Sequence, residues 1–170
     1  VTGLPRSGTS MAMQMLAAGG MPLLSDDARP PDIDNERGYF EYSPVRGLRR
    51  DNSWVEQARG RALKVIAQLL PALPHGGKHA YRVIFMERDL KEIVASQRDM
   101  IARRGQTGAK RSSEALRRTY ALQLVRIRKL LAVAHFPVLY VPDGACLQDT
   151  LGTASRINAF LGGALDEAAM

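Results

Sequence analysis

Short apolar runs alternate along the chain with longer segments in which apolar residues recur at helical spacing. The runs are typical of strands, and they cover residues 1–4, 62–66, 81–86 and 136–141. The periodic segments predict helices, and they cover residues 7–18, 44–59, 89–103, 112–133 and 153–161. Strands that alternate with helices indicate a three-layer α/β domain, in which helices flank a mainly parallel central sheet.

Ligands of open parallel sheets bind beyond the carboxyl ends of the strands. The segments that follow Leu4, Ile66, Met86 and Val141 are therefore the places where we expect functional residues. Residues 25–42 have no clear period and predict a long loop, and loops of that length often carry function.

Length and composition limit the class of protein. The 170 residues suit a single domain over 1–170, and a lone cysteine, Cys146, cannot form an internal disulfide, which favours a reducing, cytoplasmic location. No run approaches the roughly 20 apolar residues of a membrane span. Because the chain starts with Val1 inside a predicted strand, we expect upstream residues to be missing, and a truncated C-terminus stays open.

The balance of 24 Lys and Arg against 17 Asp and Glu leaves a net charge of +7. Such a charge points to an anionic partner, which could be nucleic acid, an acidic membrane surface or a phosphorylated small molecule. Composition does not choose among these three.

The segment that follows the first predicted strand has the spacing of a phosphate-binding loop. It reads Gly3-Leu-Pro-Arg-Ser-Gly8-Thr-Ser10 and opens a helix. Glycines let successive backbone N–H groups curl around an anion, and the start of the helix adds partial positive charge. Thr9 stands where nucleoside-triphosphate-binding loops carry lysine, and the cation lies inside the loop as Arg6. A loop of this kind suits a bound phosphate or sulfate, and the missing lysine counts against a small-molecule kinase, which we keep as an alternative.

With these residues the chain resembles the sulfotransferases that use 3′-phosphoadenosine-5′-phosphosulfate (PAPS), with the greatest similarity to the Golgi carbohydrate and tyrosylprotein branches and their bacterial relatives. The resemblance implies that the loop binds the 5′-phosphosulfate, through Pro5, Arg6, Ser7, Gly8, Thr9 and Ser10. It also implies that Arg88, after a strand, and Ser96, eight positions on, hold the 3′-phosphate. The co-product would be 3′,5′-diphosphoadenosine, and no metal is implied.

A looser match concerns Lys64, which precedes Arg88 at the distance seen in cytosolic sulfotransferases. The resemblance implies that Lys64 contacts the oxygen that bridges phosphate and sulfate. Those enzymes place a catalytic histidine two residues later, whereas this chain has Ile66. A histidine base at that position is excluded.

A carboxylate is then the expected base. Aligned on the loop, the glutamate of the tyrosylprotein branch falls on Asp27, and Asp26, Glu36 and Glu41 are the alternatives. The resemblance also implies that residues 38–42 shape the site of the acceptor.

These observations predict in-line transfer of a sulfuryl group to a hydroxyl or amine of a small-molecule or glycan acceptor. Arg6, Lys64 and Asp27 are the expected catalytic residues. A nucleic-acid-binding domain is the other alternative, because the helix predicted over 112–133 is rich in arginine. Leu122 and Val125 fall among those charges at helical spacing, and a packed helix with a solvated basic face explains the pattern more simply.

Overall fold

The structure is a computed structural model that describes residues 1–26, 28–74, 79–103, 105 and 112–170. Its strands are β1 (Thr2–Gly3), β2 (Leu23–Leu24), β3 (Ala62–Leu63), β4 (Val65–Ile66), β5 (Val83–Glu87) and β6 (Val138–Pro142). Its α-helices are α1 (Thr9–Ala18), α2 (Leu90–Arg103), α3 (Ser113–Val133), α4 (Asp143–Gln148) and α5 (Thr150–Leu161). Three 3₁₀ helices cover Ser43–Gly47, Ser53–Ala58 and Ala67–Ala72.

The central sheet has four parallel strands in the order β4-β1-β5-β6. Thr2 lies opposite Val65 on one side and Phe85 on the other, while Val83 pairs with Val138. All four strands therefore end at the same edge, where the loop after β1 also begins. A separate pair of short parallel strands joins β2 to β3.

Alternate residues of β5 separate the two faces of the sheet, as the two-residue period of a strand requires. Phe85 packs into a core that includes Ile127 and Leu131 of α3. Met86, one position on, packs against Leu16 of α1 in a second core, to which α4 and α5 also contribute. The sheet is thus covered on both faces, and the predicted three-layer α/β architecture is confirmed.

The prediction of a single helix over residues 44–59 is wrong. The segment forms two 3₁₀ helices, Ser43–Gly47 and Ser53–Ala58, on either side of a turn. In that turn the Asp51 carboxylate accepts hydrogen bonds from the main-chain N–H and the hydroxyl of Ser53, which offers the backbone an alternative to continued helix. Trp54 is nevertheless buried in the core, so the helical spacing located the packing residue but not the type of helix.

Other elements begin or end a few residues away from their predicted bounds. The strand predicted over 62–66 divides at Lys64 into β3 and β4, which belong to different sheets. The closing helix begins at Thr150, three residues earlier than predicted, because the Asp149 side chain accepts from the N–H of Gly152. Neither β2 nor α4 was predicted.

Helix α3 begins after Ser112, whose hydroxyl accepts from the N–H of Ala115, as an N-cap does. Its buried face carries Ile127 and Leu131, while Leu122 and Val125 are exposed, so those two do not pack as the spacing suggested. Within the described segments, no helix combines the length and the apolar character that a membrane crossing requires.

Candidate functional site

The loop between β1 and α1 is tightly wound. A side chain at Gly3 would place its Cβ 2.3 Å from the hydroxyl oxygen of Ser7 and 2.8 Å from the main-chain oxygen of Met86. The Ser7 hydroxyl is buried and donates back to the carbonyl of Leu4 at 2.8 Å. Ser7 therefore shapes the loop from inside.

Two residues of this loop have left-handed backbone. Gly8 has φ 86°, which glycine adopts without strain, and Arg6 has φ 68°, which is uncommon for a residue with a side chain. Such alternation turns consecutive N–H groups toward one point. Helix α1 starts directly afterwards at Thr9, and no side chain among the described residues caps it. Its first N–H groups therefore face the space in front of the helix, which is a favourable place for an anion.

A cavity of about 440 Å³ lies in front of the loop and the start of α1. Its wall includes three cations from three adjacent strands: Arg6 and Arg88 follow β1 and β5, and Lys64 immediately precedes β4. The structure therefore brings together Arg6, Lys64 and Arg88, which lie far apart in the sequence, on one cavity wall. Gly8, Thr9 and Ser10 line the same cavity.

The side chain of Arg6 spans the loop and two other parts of the chain. Its Nε donates to the hydroxyl oxygen of Ser96 in α2 at 3.0 Å. Its Nη1 donates to the main-chain oxygen of Asp34 at 3.3 Å. Arg6 thus links Ser96 of α2 to the glycine loop through a hydrogen bond.

Arg88 is held by two carboxylates. Its Nε lies 2.9 Å from an oxygen of Glu92 and 3.0 Å from an oxygen of Asp143, the first residue of α4. Its Nη1 donates to the carbonyl of Arg6 at 3.2 Å. These contacts fix the guanidinium at the edge of the cavity, where its remaining N–H groups can meet a ligand.

Lys64 is partly buried beside the loop. Its ammonium donates to the hydroxyl oxygen of Ser10 at 2.9 Å and to the main-chain oxygen of Tyr39 at 2.7 Å. The pKa of Lys64 is lowered from 10.5 to about 8, mainly by burial; the charge of Glu41 opposes this shift, and the charges of Arg29 and Arg6 add to it. An anion that binds beside such a cation stabilises the charged form of the amine.

The long loop over residues 28–42 forms the outer wall of the cavity. The amide of Asn35 donates to the hydroxyl oxygen of Ser10 at 2.8 Å. The guanidinium carbon of Arg29 lies 3.2 Å from the centre of the Tyr39 ring, and an Arg29 nitrogen lies 3.0 Å from a Glu41 oxygen. The long loop thus lines the same cavity as the glycine loop.

The four carboxylates proposed as bases differ in their positions. Glu41 lines the cavity and pairs with Arg29 and Arg46. Glu36 is exposed. Asp26 is exposed as well; its carboxylate accepts from the N–H of Ser43, and backbone hydrogen bonds of this kind lower its pKa. Asp27 lies outside the described residues and stays a prediction.

Three residues of the site carried no sequence signal that we used, and they are Asp34, Asn35 and Asp143. The first two belong to a loop without periodicity, so only its length marked them, whereas Tyr39 lies in the stretch that the resemblance had indicated. Asp143 follows Val141 by two positions, at one of the strand ends where ligands were expected, and that location was the available signal.

The basic helix α3 bears less on the nucleic-acid alternative than its composition suggested. Arg128 pairs with Glu87, and Arg117 pairs with Glu114. Two of its cations are thus used in contacts within the protein.

The described residues contain no group of three or more His, Cys, Asp or Glu side chains placed to hold a metal ion. No protein-family model, curated protein or solved structure matches this chain.

Proposed function

We propose that the protein is a PAPS-dependent sulfotransferase that moves a sulfuryl group to a hydroxyl or amine of a small-molecule or glycan acceptor. One observation carries the proposal: Arg6, Lys64 and Arg88 line a single cavity in front of the glycine loop. Three cations and a helix start favour a ligand with several negative charges. PAPS is such a ligand, since it carries a phosphosulfate and a 3′-phosphate.

The volume of the cavity supports a nucleotide-sized ligand. Small-molecule sites usually enclose about 300–1,000 Å³, and this cavity measures about 440 Å³. In the proposed complex the loop N–H groups, Arg6 and Ser10 hold the phosphosulfate. Arg88 and Ser96 hold the 3′-phosphate, at the other end of the ribose.

The proposed reaction is an in-line displacement at sulfur. The acceptor oxygen or nitrogen forms a bond to sulfur while the bond from sulfur to the bridging oxygen breaks. The electron pair of that bond leaves with 3′,5′-diphosphoadenosine, and the Lys64 ammonium stabilises the charge that develops on the departing oxygen. The acceptor's proton passes to a carboxylate, for which Asp27 stays the proposed base. Glu41, on the cavity wall, is its closest rival among the described residues.

Thr9 argues against the kinase alternative, because a loop without lysine lacks a main contact to the transferred phosphate of a nucleoside triphosphate. The single cysteine, Cys146, is a buried free thiol, and we keep a cytoplasmic location as part of the proposal.

The test is a comparison of ligands by thermal unfolding. A ligand at 100 times its dissociation constant stabilises the folded state by about 2.7 kcal/mol. We expect 3′,5′-diphosphoadenosine to raise the melting temperature, 5′-AMP to raise it less, and Mg-ATP to leave it unchanged. The reverse order for 3′,5′-diphosphoadenosine and Mg-ATP would contradict the proposal and favour a kinase.

The assignment of Arg88 has its own test. Arg88→Ala should abolish the discrimination between 3′,5′-diphosphoadenosine and 5′-AMP. Arg118→Ala, which removes an exposed arginine of α3, is the matched control and should leave that discrimination intact. An Arg88→Ala protein that still discriminates would move the 3′-phosphate contact elsewhere.

A further inference from the structure

We propose that Asn35 is a positioning residue that, together with Lys64, forces the Ser10 hydroxyl to donate its proton into the cavity. The geometry at one oxygen atom is the basis. Ser10 Oγ lies 2.8 Å from the amide nitrogen of Asn35 and 2.9 Å from the ammonium nitrogen of Lys64. The inference rests on the proposed function in one respect only, which is the identity of the bound anion.

A serine hydroxyl has two lone pairs and one proton. Both neighbours of Ser10 are donors, since an ammonium has no lone pair and the Asn35 group that faces Ser10 is its NH₂. The two lone pairs of Ser10 are therefore used, and its proton has to be donated to a third group. Among the described residues, Ser10 Oγ accepts these two hydrogen bonds and donates none, and Ser10 lines the cavity.

A hydroxyl oriented in this way favours a ligand whose atoms accept a hydrogen bond. An oxygen of phosphate or sulfate in the cavity accepts the proton, and hydrogen bonds to a charged oxygen are the stronger kind. Ser10 differs here from Ser7, whose proton is used within the loop on the carbonyl of Leu4. Of these two loop serines, the structure therefore assigns the ligand contact to Ser10.

Asn35 is itself held in place. Its main-chain N–H donates to the main-chain carbonyl of Asp32 at 2.9 Å, and its main-chain carbonyl accepts from the N–H of Gly38 at 3.0 Å. The neighbouring carbonyl of Asp34 accepts from Arg6 at 3.3 Å. The turn therefore presents the side-chain amide to Ser10 at a fixed distance, and a substitution at Asn35 affects the Ser10 hydroxyl without changing any residue of the glycine loop.

The test is a double-mutant cycle on anion affinity, measured by titration calorimetry. Asn35→Ala, Asn35→Asp, Ser10→Ala and the two combined variants are titrated with 3′,5′-diphosphoadenosine and with pyrophosphate. Asn35→Ala should weaken binding by about tenfold when Ser10 is present, the size of one hydrogen bond to a charged group. In the Ser10→Ala background the same substitution should weaken binding less than about twofold.

Asn35→Asp separates positioning from packing. Aspartate has the shape of asparagine, so a packing role predicts a smaller loss of affinity than for Asn35→Ala. Under the proposal, the carboxylate accepts the Ser10 proton and turns it away from the cavity, so the loss is larger than for Asn35→Ala. Gln14→Glu, which adds a carboxylate to the same cavity wall, reports the effect of added charge alone.

Each outcome decides something. Equal effects of Asn35→Ala with and without the Ser10 hydroxyl, or a milder loss for Asn35→Asp than for Asn35→Ala, overturn the role of Asn35. Binding of pyrophosphate without binding of 3′,5′-diphosphoadenosine contradicts the sulfotransferase proposal. The double-mutant cycle measured with pyrophosphate then still tests the role of Asn35. Binding of neither by the unsubstituted protein overturns both. Melting temperatures identify any variant that fails to fold, and the remaining Asn35 variant then completes the cycle.

Discussion

The guanidinium of Arg88 donates a hydrogen bond of 3.2 Å to the main-chain carbonyl of Arg6, across 82 positions of sequence. Arg6 has left-handed backbone, with φ 68°, which costs free energy for a residue that carries a side chain. The bond stabilises this conformation from the end of the neighbouring strand. Arg88 therefore supports the loop even before any ligand arrives.

Arg88→Ala should lower the free energy of unfolding by about 1–2 kcal/mol without any ligand, because it removes this bond and leaves two carboxylates without their cation. Urea unfolding measures the loss. Arg118→Ala, at an exposed position of α3, is the control and should change the stability by less than about 0.5 kcal/mol. Equal stabilities of the two variants would mean that Arg88 does not support the loop.

Gly3→Ala should be among the most destabilising glycine substitutions in the chain. The added Cβ would lie 2.8 Å from the main-chain oxygen of Met86, which cannot move without disturbing the pairing of β1 with β5. We expect a loss of about 2 kcal/mol or more by urea unfolding. Gly47→Ala is the matched control, since a Cβ there has no atom within 4 Å. A Gly3→Ala protein as stable as Gly47→Ala would show that the loop can relax.

The affinity for 3′,5′-diphosphoadenosine should fall as the pH rises above 8. The pKa of Lys64 in the free protein is about 8. A bound anion favours the charged amine and raises that pKa, so binding above pH 8 requires uptake of a proton. Phosphate groups lose their second proton near pH 6 and do not contribute in this range.

The loss should approach tenfold for each pH unit above 8, until the pKa of the complex is reached. Calorimetric titrations at several pH values measure it. Lys64→Gln should bind more weakly at every pH and with a flat profile between about pH 8 and 10. A profile for Lys64→Gln that falls as steeply as that of the unsubstituted protein would assign the titration to another group.

Arg103→Ala should weaken the outer wall of the cavity. The Asp34 side chain is 2% exposed, and its carboxylate accepts from Arg103 Nε at 3.0 Å. The substitution removes one charged partner of a buried carboxylate, so the free energy of unfolding should fall by about 2–3 kcal/mol. Arg103→Ala combined with Asp34→Asn should regain part of that loss, which distinguishes the charge from the packing of the arginine stem.

The control for this ion pair is Arg46→Ala. Arg46 pairs with Glu41 at 3.1 Å, but its side chain is 71% exposed. Exposed pairs contribute little, so the change should stay below about 1 kcal/mol. If the two arginine variants lose the same stability, the burial of Asp34 has no energetic consequence.

Local physics made much of the fold predictable. The apolar runs located the strands of the central sheet, and helical spacing located α1, α2, α3 and α5 to within a few residues. The 3₁₀ helices, β2 and α4 escaped prediction because short elements have little internal period and depend on contacts outside themselves. Lys64 illustrates the limit, because the pattern of residues 62–66 reads as one strand, whereas the chain passes there from one sheet to another.

The sequence by itself determined the α/β class and the glycine loop, because both follow from local spacing and from residues that allow a tight turn. It also placed Arg6 and Arg88 after predicted strands and Lys64 within the strand predicted over 62–66. Only the tertiary structure decided that these three cations line one cavity, because the order β4-β1-β5-β6 depends on packing between segments far apart in the chain. The same holds for Asn35, whose place beside Ser10 follows from a loop that folds back across 25 positions of sequence and has no periodic pattern of its own.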